Sequence, residues 1–202
     1  YYGSAPYFRD VTFKYNNTDY RGGAVAVSSG DTTATITFER TNFVGNYTAP
    51  IVDGSSAYGG AVYLENTGKT VFESSTFDSN AVKMNGSCCS NEGGAIYSQS
   101  NYDSLIIRNS RFNYNKVYMP SGNDGGEAEG GAMYITSGYG DVVVTNSLFL
   151  GNTAESEKYN YSSGSDDREA YGGAIRIDLN RWSSGNNYLY PYKSIFINNT
   201  FV

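Results

Sequence analysis

The sequence predicts an all-β fold, a right-handed parallel β-helix (solenoid) of about five to six coils with three short strands per coil. Three observations predict it. Two motifs alternate along the whole chain, apolar residues recur with period two rather than 3.6, and length variation falls mainly at one point of the repeat.

The first motif is Gly-Gly-Ala followed by alternating apolar residues. It stands at Gly22-Gly23-Ala24, Gly59-Gly60-Ala61, Gly93-Gly94-Ala95, Gly130-Gly131-Ala132 and Gly172-Gly173-Ala174. The second is Phe-x-x-Asn, at Phe13/Asn16, Phe43/Asn46, Phe77/Asn80, Phe112/Asn115 and Phe149/Asn152, with a sixth copy starting at Phe201. Phe196-Ile197-Asn198-Asn199 fits the motif too, but Phe201 keeps the flanking residues in phase. Five residues before each motif phenylalanine stand Phe8, Phe38, Phe72, Ile107, Val144 and Phe196. Three before it stand mostly turn formers: Asp10, Arg40, Ser74, Asn109, Asn146 and Asn198.

Each repeat thus carries a strand after Gly-Gly, a strand before the turn, and a strand with Phe-x-x-Asn. Successive motif phenylalanines are 30, 34, 35, 37 and 52 residues apart. The growth falls mainly between Phe-x-x-Asn and the next Gly-Gly, in Ser-, Gly-, Asn- and Asp-rich stretches, as solenoid insertions do. Period two excludes helical repeats, and parallel α/β sheets need crossover helices that the chain does not offer. Recurrence of one residue type at one phase fits an in-register parallel stack, with equivalent positions about 4.8 Å apart.

The stack assigns roles. Phe13, Phe43, Phe77, Phe112, Phe149 and Phe201 are expected to form one internal aromatic ladder. Phe8, Phe38, Phe72 and Phe196 join aliphatic residues in a second. Asn16, Asn46, Asn80, Asn115 and Asn152 are expected to form an asparagine ladder at a corner, bonded up and down the stack. The paired glycines fit positions needing unusual backbone angles or close approach.

Composition narrows the function classes. The chain has 202 residues, a formal charge of −6, 15% aromatics and no histidine. Its aromatic content gives it apolar area to bury, so one folded domain over 1–202 is expected. Without histidine the commonest general base and metal ligand are missing. The sequence has no Lys/Arg cluster to mark a nucleic-acid footprint and no apolar run of membrane-spanning length. No cofactor or metal is expected. Cys88 and Cys89 are adjacent; that spacing does not match zinc, and a bond to each other, to another chain, or none all fit it.

Alternating Gly-Gly-Ala-(Ile/Val) and Phe-x-x-Asn resembles the repeat of the chlamydial polymorphic outer-membrane proteins, and is similar to adhesin-like surface proteins of methanogenic archaea and some protists. The resemblance covers essentially the whole chain. It implies an extracellular or cell-surface β-helix with an adhesive or structural role. The expected partners are neighbouring coils of a longer chain or further copies in a fibre, together with glycans or a host or cell surface. The expectation is therefore a non-enzymatic adhesin stalk or fibre subunit, with a polysaccharide-binding or polysaccharide-cleaving β-helix as the alternative.

Candidate sites follow from the phases. Outward positions of the post-glycine strand are Ala26, Tyr63, Tyr97, Tyr134 and Arg176. As an exposed aromatic row, Tyr63, Tyr97, Tyr134 and Arg176 offer the best binding face for sugar rings or a partner. Plain strand preference and self-stacking explain the tyrosines equally. A second outward row (Tyr7, Thr37, Val71, Ile106, Val143, Ile195) is apolar enough for a covering loop or a subunit contact. Arg9, Glu39, Glu73 and Arg108 share a phase that pairs 9 with 39 and 73 with 108. The acids are otherwise spread out; Asp166-Asp167, and Asp124 with Glu127 and Glu129, are read as loop residues with no catalytic convergence. Sequons occur at Asn16, Asn46, Asn85, Asn160 and Asn198; Asn85, Asn160 and Asn198 are the glycosylation candidates, because Asn16 and Asn46 belong to the ladder.

Overall fold

A computed structural model describes residues 5–28, 33–51, 55–83, 89–99, 102–120, 126–136, 140–156, 168–178 and 193–202, the Arg168 side chain excepted. Every strand among them is paired in parallel, and no residue among them is helical. The chain winds into a parallel β-helix whose coils are bounded by five sheets, not three.

Sheet I holds Tyr7–Arg9, Thr35–Glu39, Lys69–Glu73, Leu105–Arg108, Val142–Thr145 and Ser194–Ile197. Sheet II carries the motif phenylalanines in Thr12–Lys14, Asn42–Val44, Thr76–Asp78, Arg111–Asn113, Leu148–Leu150 and Thr200–Phe201. Sheet V, after the glycine pairs, holds Val25–Ser28, Val62–Glu65, Ile96–Gln99, Met133–Thr136 and Ile175–Asp178. These are the three expected strands. Two further sheets arise where the sequence suggested only loop. Sheet III follows the motif asparagine (Asn17–Thr18, Tyr47–Thr48, Ala81–Lys83, Lys116–Met119, Thr153–Ser156), and sheet IV precedes Gly-Gly (Ala57–Tyr58, Asn91–Glu92, Gly126–Glu129, Arg168–Tyr171). The reason is mechanical: once neighbouring coils are in register, the stems of each insertion lie beside one another, and their backbone groups pair whatever their side chains.

The predicted register holds. Phe13, Phe43, Phe77, Phe112, Phe149 and Phe201 are successive partners. Their rings stack with centroids 5.1, 4.8, 4.6, 4.7 and 4.8 Å apart. Phe8, Phe38 and Phe72 form the second stack at 4.9 and 4.8 Å. The two stacks meet edge-on, for example Phe72 on Phe77 at 5.3 Å, a favourable quadrupole geometry. With Val62, Leu64, Ile96, Met133 and their neighbours they make one continuous core.

Each corner leaving sheet I or sheet II turns through a left-handed residue, followed by an inward polar one except at the first sheet I corner, where Val11 follows Asp10. Between sheets II and III the polar residue is the motif asparagine. Asn80 Nδ2 donates to Phe43 O at 2.9 Å and to Asn115 Oδ1 at 3.0 Å, and its own Oδ1 accepts from Asn46 N and Nδ2. The same pattern runs from Asn16 to Asn152. Between sheets I and II, Asp10, Arg40, Ser74, Asn109, Asn146 and Asn198 all have φ between 47° and 57°. A second, unanticipated ladder follows them: Thr41, Ser75, Ser110 and Ser147, at most 2% exposed, each accept through the hydroxyl or donate through the backbone to the next coil. Asn199 completes it by accepting from Ser147 N. That settles the ambiguous Asn198-Asn199 pair: Asn199 belongs to this ladder, and Phe201 pairs with Phe149.

In the pairs from Gly22-Gly23 to Gly130-Gly131 the two glycines are required for different reasons; in the last pair only Gly172 is, at φ 63°, since a Cβ on Gly173 would sit 3.5 Å from Asn152 O. Gly93 sits at φ 70°, the left-handed region. Gly94 has no such angle, but a Cβ there would lie 2.0 Å from Gly131 O and 2.8 Å from the Lys116 backbone. Both neighbours are backbone, so neither can step aside.

Sheets III and IV enclose a small core of their own, made by Ala57, Val82, Val117 and Ala128. Asn91 stacks between Ala57 and Ala128, fully buried, and neither atom of its amide makes a hydrogen bond. A buried unpaired amide costs about 1–3 kcal/mol. Asn91→Ala, which continues the alanine row, is therefore expected to leave stability unchanged or raise it by about 1 kcal/mol in urea denaturation. A fall of that size would show the amide to be bonded after all.

Candidate functional site

The row Ala26, Tyr63, Tyr97, Tyr134, Arg176 is in register as expected. Its tyrosines are not an exposed face. Tyr63, Tyr97 and Tyr134 are only 2, 4 and 7% exposed, which corrects the reading of these residues as an open binding surface. The corner at Gly-Gly folds sheet IV back across the outer side of sheet V. The residues just before the glycine pairs (Arg21, Tyr58, Glu92, Glu129 and Tyr171) are themselves stacked in register, and this second row lies against the tyrosines. Only the tyrosine row was expected from the sequence, and period two inside one strand says nothing about which neighbouring sheet covers its outer side.

The tyrosine rings pack closely. Tyr63 and Tyr97 stack at 5.2 Å, Tyr97 and Tyr134 at 5.6 Å, and Tyr58 tilts onto Tyr97 at 4.8 Å. Burial pushes the phenols of all three row members upward. Guanidinium groups close the corner at both ends. Arg21 lies 4.8 Å from the Tyr63 ring and 3.3 Å from Glu65 Oε2. Arg176 lies 4.0 Å from the Tyr171 ring, with Nε 3.5 Å from Glu129 Oε2. Each is a cation held between an aromatic face and a carboxylate.

Between these ends sit acids. Glu92 and Glu129 are direct partners in adjacent coils, so the expectation that Glu129 is a scattered loop residue is corrected: sheet IV pairing brings it beside Glu92. Glu129 is 2% exposed, and its Oε2 makes no hydrogen bond. Burial, reinforced by Glu127, pushes the Glu92 carboxyl up to about 7 against the opposing pull of Arg176. The Glu129 carboxyl is raised too, first by burial and then by its hydrogen bond with Glu127. Burial thus shifts both carboxyls upward from the ordinary carboxylate range, with Arg176 opposing.

The other expected sites distribute as follows. Asn16 and Asn46 both belong to the ladder as expected; Asn46 is fully buried, whereas Asn16 is exposed at the end of it. Asn198 is exposed at a turn with φ 52°. Asn85 and Asn160 lie outside the described residues. The Arg9–Glu39 pair forms at 3.6 Å; Glu73 accepts from Asn109 Nδ2 at 2.7 Å. Along the apolar outer row, exposure runs from 55% at Tyr7 to 8% at Ile106. Cys89 is disulfide-bonded, and Cys88 lies outside the described residues. Among the described residues no group of three His, Cys, Asp or Glu is placed to hold a metal ion, and no helix is long and apolar enough to cross a membrane.

Residues 74–99 match the model of the Chlamydia polymorphic membrane protein repeat. That window starts at the left-handed Ser74, takes in Phe77/Asn80 and Gly93-Gly94-Ala95, and ends with the strand Ile96–Gln99. It is one copy of both motifs, and the other copies repeat its geometry. The matched family is one of outer-membrane and cell-surface proteins, which agrees with the extracellular or cell-surface location implied by the motifs. No curated protein and no solved structure matches the chain.

Proposed function

We propose that this chain, which carries the Chlamydia polymorphic membrane protein repeat, serves as a non-enzymatic, rigid stalk of an adhesin-like surface protein. The observation that carries the reading is the unbroken run of ladders. Phenylalanine, asparagine and hydroxyl stacks pass through successive coils without a change of register. Such a stack resists bending, because tilting one coil against the next opens several ladders together. Burial of Tyr63, Tyr97 and Tyr134 weighs against the polysaccharide-binding alternative, since no sugar ring can reach their faces. Glycosylation, if added, is best accommodated at the exposed Asn198.

The test is negative-stain electron microscopy of the native protein without a partner. Separate short rods are expected. Long uniform filaments would overturn the stalk in favour of a fibre subunit.

A further inference from the structure

Among the described residues, the corner between sheets IV and V gathers four acids, Glu92, Glu129, Glu127 and Asp178, around the Arg176 guanidinium. Glu92 and Glu129 are paired across adjacent coils, so their Cα atoms are about 4.8 Å apart. Both project away from the small core, toward Tyr97 and Tyr134, because the alternate residues Asn91 and Ala128 occupy the inner side. Glu127 on sheet IV and Asp178 on sheet V face the same pair, and Tyr58 adds only a neutral phenol. Arg176 is the cation beside these four acids. Arg21, at the far end, is engaged by Glu65.

Beyond its ladder bonds and the contacts of Tyr58 and Tyr171, sheet IV rests on a small inner core. Its inner contacts are alanine and valine, and Asn91 is buried there without a partner. Segments with few apolar contacts open locally, well below the free energy of global unfolding. We propose that this corner is a proton-operated fastening: a proton retained by the Glu92–Glu129 pair keeps sheet IV closed over the tyrosine row, and its release as the pH rises lets sheet IV unfold locally and uncover Tyr97 and Tyr134.

The sign follows from linkage. In the closed corner the acids bind protons more tightly than when exposed, so closure is fully favoured below the ordinary carboxyl value of 4.5 and is lost as the pH rises through about 7 at Glu92. Each proton released raises the opening constant about tenfold per pH unit across that window. The opening constant at Glu92 thus rises from the ordinary carboxyl range up to about neutrality, and the upper part of that window lies above the range in which surface carboxylates titrate.

Amide hydrogen exchange on the full chain tests this, corrected for the intrinsic pH dependence of exchange. The probes are the amides of Gly93 and Gly130, directly after the sheet IV strands, which donate to Glu129 O and Tyr171 O. The controls are Ser79 and Tyr114, which donate to Asn113 O and Leu150 O at the sheet II corner. Between about pH 5.5 and pH 8.5, protection at Gly93 and Gly130 is expected to fall at least about tenfold, with the controls within about twofold. The double variant Glu92→Gln/Glu129→Gln is expected to remove that difference. An unchanged pH dependence in the double variant, or probes and controls moving together in the parent protein, would overturn the proposal. Should the variant not fold, NMR titration of the parent carboxyls decides. Midpoints for both Glu92 and Glu129 near 4.5 overturn the proposal, and at least one near neutrality supports it.

Discussion

Phe77→Ala is expected to destabilise the protein by about 3–5 kcal/mol. Phe77 is fully buried and lies between Phe43 at 4.8 Å and Phe112 at 4.6 Å, with Phe72 edge-on at 5.3 Å. Truncation removes the ring's transfer free energy and leaves a cavity that cannot collapse, because the backbone on both sides is pinned by sheet hydrogen bonds. The spacing of the coils is set by those bonds, so the rings above and below cannot close the gap. Chemical denaturation measures the loss; a value below about 1 kcal/mol, typical of surface changes, would refute the internal ladder. Phe112→Ala should behave alike. Combining the two should cost less than the sum of the single effects by about 0.5–1.5 kcal/mol, the stacking term that the first substitution already removes.

Asn80→Ala is expected to cost about 2–4 kcal/mol. The substitution removes the donor for Phe43 O and Asn115 Oδ1 and the acceptor for Asn46 N, all in a corner that water does not reach. Each buried group left without a partner costs about 1–3 kcal/mol, tempered by partial relaxation. Asn80→Asp provides the sharper comparison. It preserves shape and the acceptor, yet it turns a carboxylate oxygen toward two acceptors, Phe43 O and Asn115 Oδ1. It should be at least as damaging as alanine at neutral pH and should recover in acid, where the carboxyl gains a proton to donate. Thermal melts of the two variants at neutral and acidic pH would show this, and an aspartate variant as stable as the parent at neutral pH would contradict the ladder.

These two residues also mark how far the sequence carries. All ten phenylalanines of the chain fall on the two internal rows, and their even phase was visible without coordinates. The asparagine ladder was equally legible, because one side chain has to satisfy the same turn in each coil. The hydroxyl ladder was missed: Thr41, Ser75, Ser110, Ser147 and Asn199 differ in type, and only the shared left-handed residue before them turns each one inward. A search for small polar residues directly after the turn formers would have found it.

The sequence by itself determined the repeat, the parallel register and the two core ladders, because a stacked fold converts phase along the chain directly into contact between coils. Tertiary structure decided what lies outside each strand. Tyr63, Tyr97 and Tyr134 alternate like exposed residues, yet sheet IV folds over them. Glu92 and Glu129 stand at the ends of stretches unequal in length, yet pairing of the stems aligns them. Alternation records only which side of a strand faces the inner core. Whether the other side meets water or a second layer depends on how the corner at the glycine pair turns, and that is fixed by backbone packing between coils.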